Sequence, residues 1–361
     1  MASEVPDIKR RQLFKWSAGA LGIGALGSAG IVATGGAAAA AVDASKRFDL
    51  TDPSTELLRE IWLNELRVLQ SFSFDNTNKH LYTVSLINGG RQLPGETRPY
   101  TGDERAKYGD LCVTRLDLTG AIIGRMFLKG FGHGVSIAVE PSGNSAYLWT
   151  ETDSIEAPDP NHPSDPAKNI GWGSKIGRFK FANGTVLTND SHKITKHTPV
   201  AGADRTTIAI DPVNSRLVVR YRLSGAFHFG LYDLATFRSG TYTQIAHVLQ
   251  PTDIASPPPF QGFTSLGQYL YLLEGSAYST SNPAPGNTYQ SVINWNTGSR
   301  VERRLSEAGK SLLFREPEGL AIQIPNTATP AAARLVTGFA SYASTTDTNK
   351  KASFYYKDSL I

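Results

Sequence analysis

Apolar and polar residues follow a strand-like pattern over most of the chain. Beyond residue 69, short runs of β-branched and aromatic residues are separated by glycine, proline, asparagine and aspartate, which is typical of half-buried strands joined by turns. One segment differs, because residues 53–67 place apolar side chains at 57, 58, 61, 62 and 66, near the helical period. We therefore predict one amphipathic helix there, capped by Asp52 or Ser54, and an all-β domain after it.

A strand, a tight turn and a second strand recur along this domain. The turns at 75–78, 140–144 and 211–214 contain Asp, Asn, Pro and Gly, which form such corners at little cost. Four of the hairpins are followed by further strands, so that four-stranded units repeat at about sixty residues, the pattern of a β-propeller blade. The hairpins occupy residues 70–85, 133–149, 205–219, 261–273 and 318–338, and the strands that follow them include 110–124, 175–181, 228–234 and 290–295.

Five such units fit the chain, which predicts a five-bladed propeller over residues 69–361, with residues 352–356 completing the last blade. A six-bladed propeller is the main alternative count. Two stacked β-sandwiches would explain the density of strands but not the recurrence of the corner at corresponding positions. Residues 45–68 are then expected to form a helical segment that packs on one face or tethers the domain.

The first 44 residues have the composition of an export signal. Lys9-Arg10-Arg11-Gln12-Leu13-Phe14-Lys15 places two adjacent arginines before two large apolar residues, and a weakly hydrophobic Gly/Ala-rich stretch covers residues 18–33. This resembles a twin-arginine signal, whereas five glycines between residues 19 and 30 make a poor membrane span. Small residues from 35 to 41 predict cleavage near Val42 to Ser45. The mature chain is then secreted or in the cell wall without a stable membrane span, and a retained anchor is the alternative.

Composition narrows the functions further. Cys112 is the only cysteine among 361 residues, so the chain forms no internal disulfide and depends on packing for its stability. The formal net charge is +4, half of it within the first 15 residues, which gives no support to nucleic-acid binding. The sequence contains no Gly-x-Ser-x-Gly elbow, phosphate loop or His-Glu-x-x-His motif, and it implies no cofactor.

The first strand of each propeller blade lines the central channel, so residues that begin these strands converge on one opening. A glycine follows three of them, which allows a backbone bend or the close approach of a ligand. The polar groups either hydrogen-bond one another and trapped water to close the channel, or form a recognition site in which Arg205 binds an anion and the glutamines bind hydroxyls. The residues concerned are Gln70, His133, Asp204, Arg205, Gln261, Glu316 and Glu318.

Catalysis and metal binding are weaker interpretations of the same residues. His133 with Glu316 or Glu318 is a candidate acid–base pair, with Arg205 neutralising a uronate. A metal site would need His133, Asp204 and Glu318 to converge from three blades, and no short ligand spacing supports one. The remaining single histidines are predicted to lie on the surface: His80, His192, His197 and His247.

A long polar segment interrupts the second unit. Residues 153–173, rich in Asp, Pro and Asn, are predicted to form a long loop, and long loops often carry function. Trp172 at its end, with Tyr278 and Tyr289 around a second loop, either stacks on sugar rings or packs the loops down. Trp172 therefore joins the candidate ligand-binding residues.

Three short motifs resemble a bacterial and phage propeller family. They are Gly132-His133-Gly134 before Tyr147-Leu-Trp149-Thr-Glu151, then Phe260-Gln261-Gly262, then Glu316-Pro317-Glu318-Gly319-Leu320. The family includes teichoic acid biosynthesis protein C, the propeller of phage receptor-binding proteins, and helveticin-like bacteriocins. The resemblance spans about residues 65–356 and implies a five-bladed propeller associated with cell-wall glycopolymers, without catalytic residues that transfer. The export signal and the lack of an evident tail-attachment domain set this sequence apart from the phage members, so a virion role is not expected.

The leading hypothesis is an exported propeller that binds an anionic or hydroxyl-rich cell-surface polysaccharide at the mouth of its channel. Its expected partners are that polymer and, during export, the twin-arginine translocase. The first rival is a polysaccharide lyase or glycosidase that uses His133 with a carboxylate. The second is a secreted antibacterial protein of the helveticin type.

Overall fold

The computed structural model describes residues 41–159 and 162–361. Within them the chain forms five β-sheets arranged as the blades of a propeller, so the predicted five-bladed fold is confirmed and both the six-bladed count and the sandwich pair are wrong. Most of the predicted signal, residues 1–40, lies outside the described residues. No helix in the described ranges is long and apolar enough to cross a membrane.

Each blade is an antiparallel sheet of four strands, and blade 1 gains a fifth strand in parallel pairing. Strand β1 (Thr55–Ile61) precedes blade 1, which contains β2 (Leu69–Asp75), β3 (His80–Leu86), helix α1 (Gly102–Tyr108), β4 (Leu111–Asp117) and β5 (Ile122–Lys129). Blade 2 contains β6 (Ile137–Ser142), β7 (Ser145–Ala157), a 3-10 turn (Pro166–Lys168), β8 (Ile170–Lys180) and β10 (Thr195–His197), while the intervening β9 (Val186–Thr188) joins blade 1. Blade 3 contains β11 (Asp204–Asp211), β12 (Arg216–Leu223), β13 (Ala226–Asp233), helix α2 (Leu234–Arg238) and β14 (Gln244–Leu249). Blade 4 contains β15 (Phe260–Leu266), β16 (Tyr269–Glu274), β17 (Tyr289–Asn294) and β18 (Arg300–Leu305). Blade 5 contains β19 (Leu313–Gln323), a 3-10 turn (Pro330–Ala332), β20 (Arg334–Tyr342), β21 (Lys351–Lys357) and β1.

The helix predicted at 53–67 is wrong, because this segment contains the outermost strand of blade 5. Strand β1 pairs with β21, with Thr55 opposite Tyr356 and Ile61 opposite Ala352. Two irregularities interrupt the register, and Glu60 has a φ of 53°. Bulges of this kind break the strict alternation of a strand, which explains why the apolar positions imitate a helical period. The propeller thus begins before residue 69, and β1 closes the ring by joining the last blade to the first.

The hydrophobic core lies in the five seams between neighbouring blades. Each of the larger clusters of buried side chains draws residues from two successive blades, and the last cluster joins blade 5 to blade 1. Representative pairs are Tyr82 and Ile137, Trp149 and Leu217, Phe229 and Phe263, Tyr271 and Ile322, and Phe72 and Phe354. Burial of these apolar side chains is the main stabilising term in a chain without disulfides.

The two faces of the propeller carry different connections. We call the face where the inner strands β2, β6, β11, β15 and β19 begin the mouth face, and the opposite face the base. Four base turns that follow the inner strands are tight, at 76–79, 143–144, 212–215 and 267–268. Long connections occur on both faces: 87–110, 275–288 and the described part of 158–169 lie on the mouth face, and 181–194 and 324–333 lie on the base. The mouth face also carries the starts of the inner strands, where the predicted channel residues lie, so we expect function there.

Two base turns show why the sequence placed its corners correctly. Asp75 Oδ1 accepts hydrogen bonds from the backbone N–H groups of Thr77 and Asn78 at 3.1 and 2.8 Å. Asp211 Oδ1 accepts the corresponding pair from Val213 and Asn214 at 3.0 and 3.1 Å. The carboxylate thus satisfies the turn's free donors, which is why the same residue types recur in both blades.

The segment before β1 runs along the base. The side chain of Asn296 binds the backbone of Val42 twice: Oδ1 accepts from the Val42 N–H at 2.7 Å, and Nδ2 donates to the Val42 carbonyl at 2.8 Å. Ser45 Oγ accepts from the backbone N–H of Gln268 at 2.9 Å, and the N–H of Phe48 donates to Tyr271 Oη at 3.0 Å. Residues 42–48 therefore lie on the base, opposite the mouth face.

Candidate functional site

Four of the predicted channel residues lie at irregularities in the inner strands. The pairing register slips between Leu69 and Ser71, between Asp204 and Thr207, between Phe260 and Gly262, and between Pro317 and Leu320. The residues skipped by these slips include Gln70, Arg205, Gln261 and Glu318. A β-bulge redirects a side chain away from the regular sheet face. The direction of these polar side chains is therefore set by the backbone conformation.

His133, Trp172 and Arg205 form one contact group, which we call the mouth cluster. The rings of His133 and Trp172 are 5.0 Å apart and inclined by 34°, and the guanidinium carbon of Arg205 lies 4.6 Å from the centroid of Trp172. His133 precedes β6, Trp172 belongs to β8 and Arg205 to β11. The cluster therefore bridges blades 2 and 3, and Trp172 positions the other two side chains.

Arg205 is a cation that has no carboxylate partner among the described residues. Its φ of 49° is unusual for a residue with a side chain, and such strain persists where the surroundings enforce it. Neighbouring Asp204 is bound by Arg222, whose Nε donates to Asp204 Oδ1 at 2.8 Å. Burial, and secondarily the charge of Arg222, lower the pKa of Arg205 to about 10. A half-buried guanidinium that forms no ion pair among the described residues is suited to an anionic or hydroxyl-bearing ligand.

Glu151 on β7 holds the backbone around the mouth cluster in place. Its side chain is fully buried, and Oε1 accepts from the N–H groups of Gly134 and Val135 at 2.6 and 3.3 Å. Oε2 accepts from the N–H of Gly173 at 2.6 Å. A Cβ on Gly132 would overlap this carboxylate, so the glycine is needed for the approach. Glu151 thereby fixes the loop that carries His133 and the strand that carries Trp172.

The environment of Glu151 is also electrostatically unusual. Burial raises the pKa of this carboxyl to about 7, against the lowering effect of the hydrogen bonds from Gly173 and Gly134. The sequence did not single out Glu151 as a site residue, although it closes one of the family motifs. The available sequence signal was that the motif ending in Glu151 accompanies Gly132-His133-Gly134, and Glu151 binds the backbone of that second motif.

Most of the other predicted channel residues are more enclosed. Gln70 is 4% exposed and its Nε2 donates to the carbonyl of Leu69, while Gln261 is half-buried and donates to the carbonyl of Gly275 at 3.0 Å. Glu316 and Glu318 on β19 are each 5% exposed. Gln70, Glu316 and Glu318 are thus buried, whereas Gln261 is half-buried, as are the residues of the mouth cluster.

The structure refines three loop predictions. The predicted loop at 153–173 is shorter, because β7 extends to Ala157 and β8 begins at Ile170, which leaves the connection between residues 158 and 169. Tyr278 Oη lies within hydrogen-bond distance of two carbonyls, those of Pro285 at 3.4 Å and Lys310 at 3.2 Å, and can donate to either. Tyr289 lies under the guanidinium of Arg303 at 3.5 Å. Tyr278 therefore packs its loop down, and Tyr289 packs against the neighbouring strand β18. Trp172 is left as the aromatic residue of the cluster.

One of the single histidines is buried, contrary to prediction. His197 is 2% exposed, with its ring 5.2 Å from that of Trp149 and its Nδ1 3.0 Å from Tyr242 Oη. Burial, and secondarily the charge of Arg178, lower its pKa to about 4, so it is a neutral core residue. His192 and His247 are exposed and His80 is partly buried. Among the described residues, no group of three or more His, Cys, Asp or Glu side chains could hold a metal ion.

Comparison with known proteins places this fold in a family. The family model of the phage five-bladed beta propeller receptor binding platform domain matches residues 68–350. The putative major teichoic acid biosynthesis protein C of Bacillus subtilis (strain 168) is 25% identical over 291 residues, which cover 76% of this chain and 56% of that protein. The tail fiber of Staphylococcus aureus phage P68 superimposes with a TM-score of 0.60 at 17% identity, over 86% of this chain and 54% of the fiber, which shows the fold alone.

The chain thus spans little more than half the length of these two relatives. The match to the family model extends from the start of blade 1 almost to the start of β21, and it includes every inner strand and the mouth cluster. The chain belongs to the family of phage five-bladed beta propeller receptor binding platform domains.

Proposed function

We propose that this protein is exported and binds a cell-surface glycopolymer, of the teichoic acid type or another polysaccharide, at the mouth face of its propeller. The mouth cluster carries the proposal, because it places an unpaired guanidinium and an imidazole against one indole ring at the end of the channel. Glycopolymers offer hydroxyl and anionic oxygens to such donors and apolar sugar faces to aromatic rings. Membership of a receptor-binding family and the teichoic acid name of the Bacillus relative support the same class of ligand.

The function is tested by incubating the full chain with a panel of wall polymers and uronic-acid polysaccharides, and by following retention and product release together. Replacing Trp172 with alanine frees both His133 and Arg205 from their support, so we expect at least about tenfold weaker retention with a cooperative melting transition preserved. Trp62→Ala is the control for loss of a partly exposed indole, because Trp62 is 42% exposed just after β1, the outermost strand of blade 5, and does not belong to the mouth cluster. Equal retention by the two variants would contradict a site at the mouth cluster.

Product release separates binding from catalysis in the same experiment. A binding protein retains polymer without consuming it, whereas a lyase on this scaffold would release unsaturated sugars. Products that disappear in a His133→Ala variant would replace the binding function by an enzymatic one, with His133 as acid or base. Clearing of a lawn of sensitive cells would instead favour the antibacterial alternative.

Export is proposed to follow the twin-arginine pathway, with processing at or before Val42. Val42 is 2% exposed and held by Asn296 on both sides of its backbone, so cleavage beyond it would remove a packed residue. We therefore expect the exported protein to begin at Val42 or a few residues earlier, as read from its intact mass. A start at Ala44 or Ser45 would contradict this, and export by an Arg10→Lys, Arg11→Lys double variant would contradict the pathway.

A further inference from the structure

Arg220 on β12 is a charged side chain enclosed by aromatic rings. It is 4% exposed, and its guanidinium carbon lies 3.6 Å from the centroid of Phe227 and 3.8 Å from that of Phe260. Nε and Nη2 both donate to Gln250 Oε1, at 3.0 and 2.8 Å. Two rings and one neutral oxygen therefore hold the guanidinium in a fixed orientation.

This buried cation has no counter-charge. None of the ion pairs among the described residues includes Arg220, and the oxygen that it binds belongs to an amide. Burial lowers the pKa of Arg220 well below its usual value, and the charge of Arg205 adds to the effect. A charge removed from water without a partner is costly, and the cation–π contacts offset only part of that cost.

One nitrogen of Arg220 remains available. Nη1 has no acceptor among the described residues. It is not one of the fully buried polar atoms, so it retains some solvent-accessible surface. Phe227 and Phe260 both lie at the mouth-face ends of their strands, β13 and β15. The free nitrogen therefore opens on the mouth face, in the seam between blades 3 and 4.

Arg205 and Arg220 lie close together on the two strands of one hairpin. Thr207 is opposite Arg220, and Asp204 is opposite Arg222. Asp204 neutralises Arg222, whereas neither Arg205 nor Arg220 has a described carboxylate partner. The mouth end of blade 3 thus carries two uncompensated positive charges.

We propose that Arg220, fixed between Phe227 and Phe260 and assisted by Arg205, is an oxyanion-binding subsite for a phosphodiester or carboxylate group. The inference rests on the proposed function, since it states which chemical group of a glycopolymer is recognised there. An oxyanion in this seam would accept charge-assisted hydrogen bonds from Nη1 and supply the missing counter-charge. Because both sites are rigid, the distance between the bound anionic group and the sugar that contacts the mouth cluster would be fixed.

The test compares three polymers on the full chain: poly(glycerol phosphate), polygalacturonate and neutral dextran. Arg220→Gln removes the charge, and we expect its affinity for the anionic polymer that the wild type binds to fall about tenfold to hundredfold. Comparison of poly(glycerol phosphate) with polygalacturonate shows whether the subsite binds a phosphodiester or a carboxylate. Arg178→Gln is the matched control, because Arg178 also stacks on an aromatic ring, that of Tyr147 at 3.5 Å, but is paired with Glu140.

A melting experiment tests the subsite without a polymer. Inorganic phosphate, against sodium chloride at equal ionic strength, should raise the melting temperature of the wild type but not that of Arg220→Gln. If Arg220→Gln does not fold, Gln250→Leu removes the acceptor that orients Arg220 and should abolish the same phosphate-dependent shift.

Each outcome decides one of the two proposals. Unchanged affinity of Arg220→Gln for an anionic polymer, or an equal loss in Arg178→Gln, would overturn the subsite and leave polymer binding intact. Retention of dextran alone would do the same. If the wild type binds no polymer, the proposed function fails, and the phosphate shift then decides the subsite: a shift confined to the wild type supports it, and no shift overturns it.

Discussion

Replacing Glu151 with glutamine is expected to weaken polymer binding at least about tenfold and to lower the free energy of unfolding by roughly 2–4 kcal/mol near pH 5. Both carboxylate oxygens accept from backbone N–H groups, Oε1 from Gly134 and Val135 and Oε2 from Gly173. Near pH 5 the carboxyl is protonated, since its pKa is raised to about 7, but its hydroxyl oxygen keeps lone pairs that can accept. The NH2 group of an amide has no acceptor, so in the variant it must face one set of these donors. The loop of His133 or the strand of Trp172 is then released, and both ligand contacts and packing suffer.

The pH dependence distinguishes this role from simple loss of packing. The pKa of Glu151 is raised in the folded protein to about 7 from an ordinary value of 4.5, so between these values the folded state holds a proton that the unfolded state has lost. Its contribution to stability is therefore complete below pH 4.5, falls by roughly 3 kcal/mol as the pH rises to 7, and is constant above. The glutamine variant has no such titration. The stability difference between wild type and variant, from urea unfolding at pH 5 to 8, should shrink over this range.

Glu156→Gln is the control on the same strand. Its carboxylate is exposed and bound by Asn169 and Lys107, so we expect a change within about 0.5 kcal/mol. A stability difference for Glu151→Gln that does not vary with pH would show that the carboxyl is ionised throughout. Unchanged binding would show that the backbone around His133 keeps its position without the clamp.

The architecture was readable from the sequence because its determinants are local. The Asp75 and Asp211 turns repeat the same hydrogen bonds, and each hairpin carries its own alternation of apolar residues. Strand β1 was misread because bulges disturb that alternation and because its partner, β21, lies nearly 300 residues away. Pairing with a distant strand overrides a local helical pattern.

The site was only partly readable, for a related reason. His133, Arg205 and Trp172 were singled out as polar or aromatic residues near strand ends, but their mutual contact depends on how blades 2 and 3 face each other. The roles of Glu151 and Arg220 depend on burial and on the absence of a counter-charge, which no spacing rule expresses. Sequence patterns therefore located the mouth face, and tertiary packing determined which side chains meet there.

The glycines that follow the channel residues were expected to allow either a bend of the backbone or the close approach of a ligand. At Gly262 the structure shows a close approach within the protein, because its φ is 152° and its added Cβ would lie 2.7 Å from the Cα of Gly319. Gly319 belongs to the inner strand of the next blade and has a φ of 94°. Two glycines thus let the inner strands of blades 4 and 5 touch through their backbones.

Gly262→Ala is accordingly expected to lower the free energy of unfolding by about 3 kcal/mol or more, since the new methyl group meets backbone that cannot rotate away. Gly225→Ala is the matched control, because Gly225 also has a positive φ, 85°, but has no atom within 4 Å of its added Cβ. That variant isolates the conformational cost of the backbone, about 1 kcal/mol. Urea unfolding of the two proteins therefore separates strain from contact between blades. Equal losses, accompanied by weaker polymer binding in Gly262→Ala alone, would instead mean that the glycine leaves room for the ligand and that the channel end takes part in recognition.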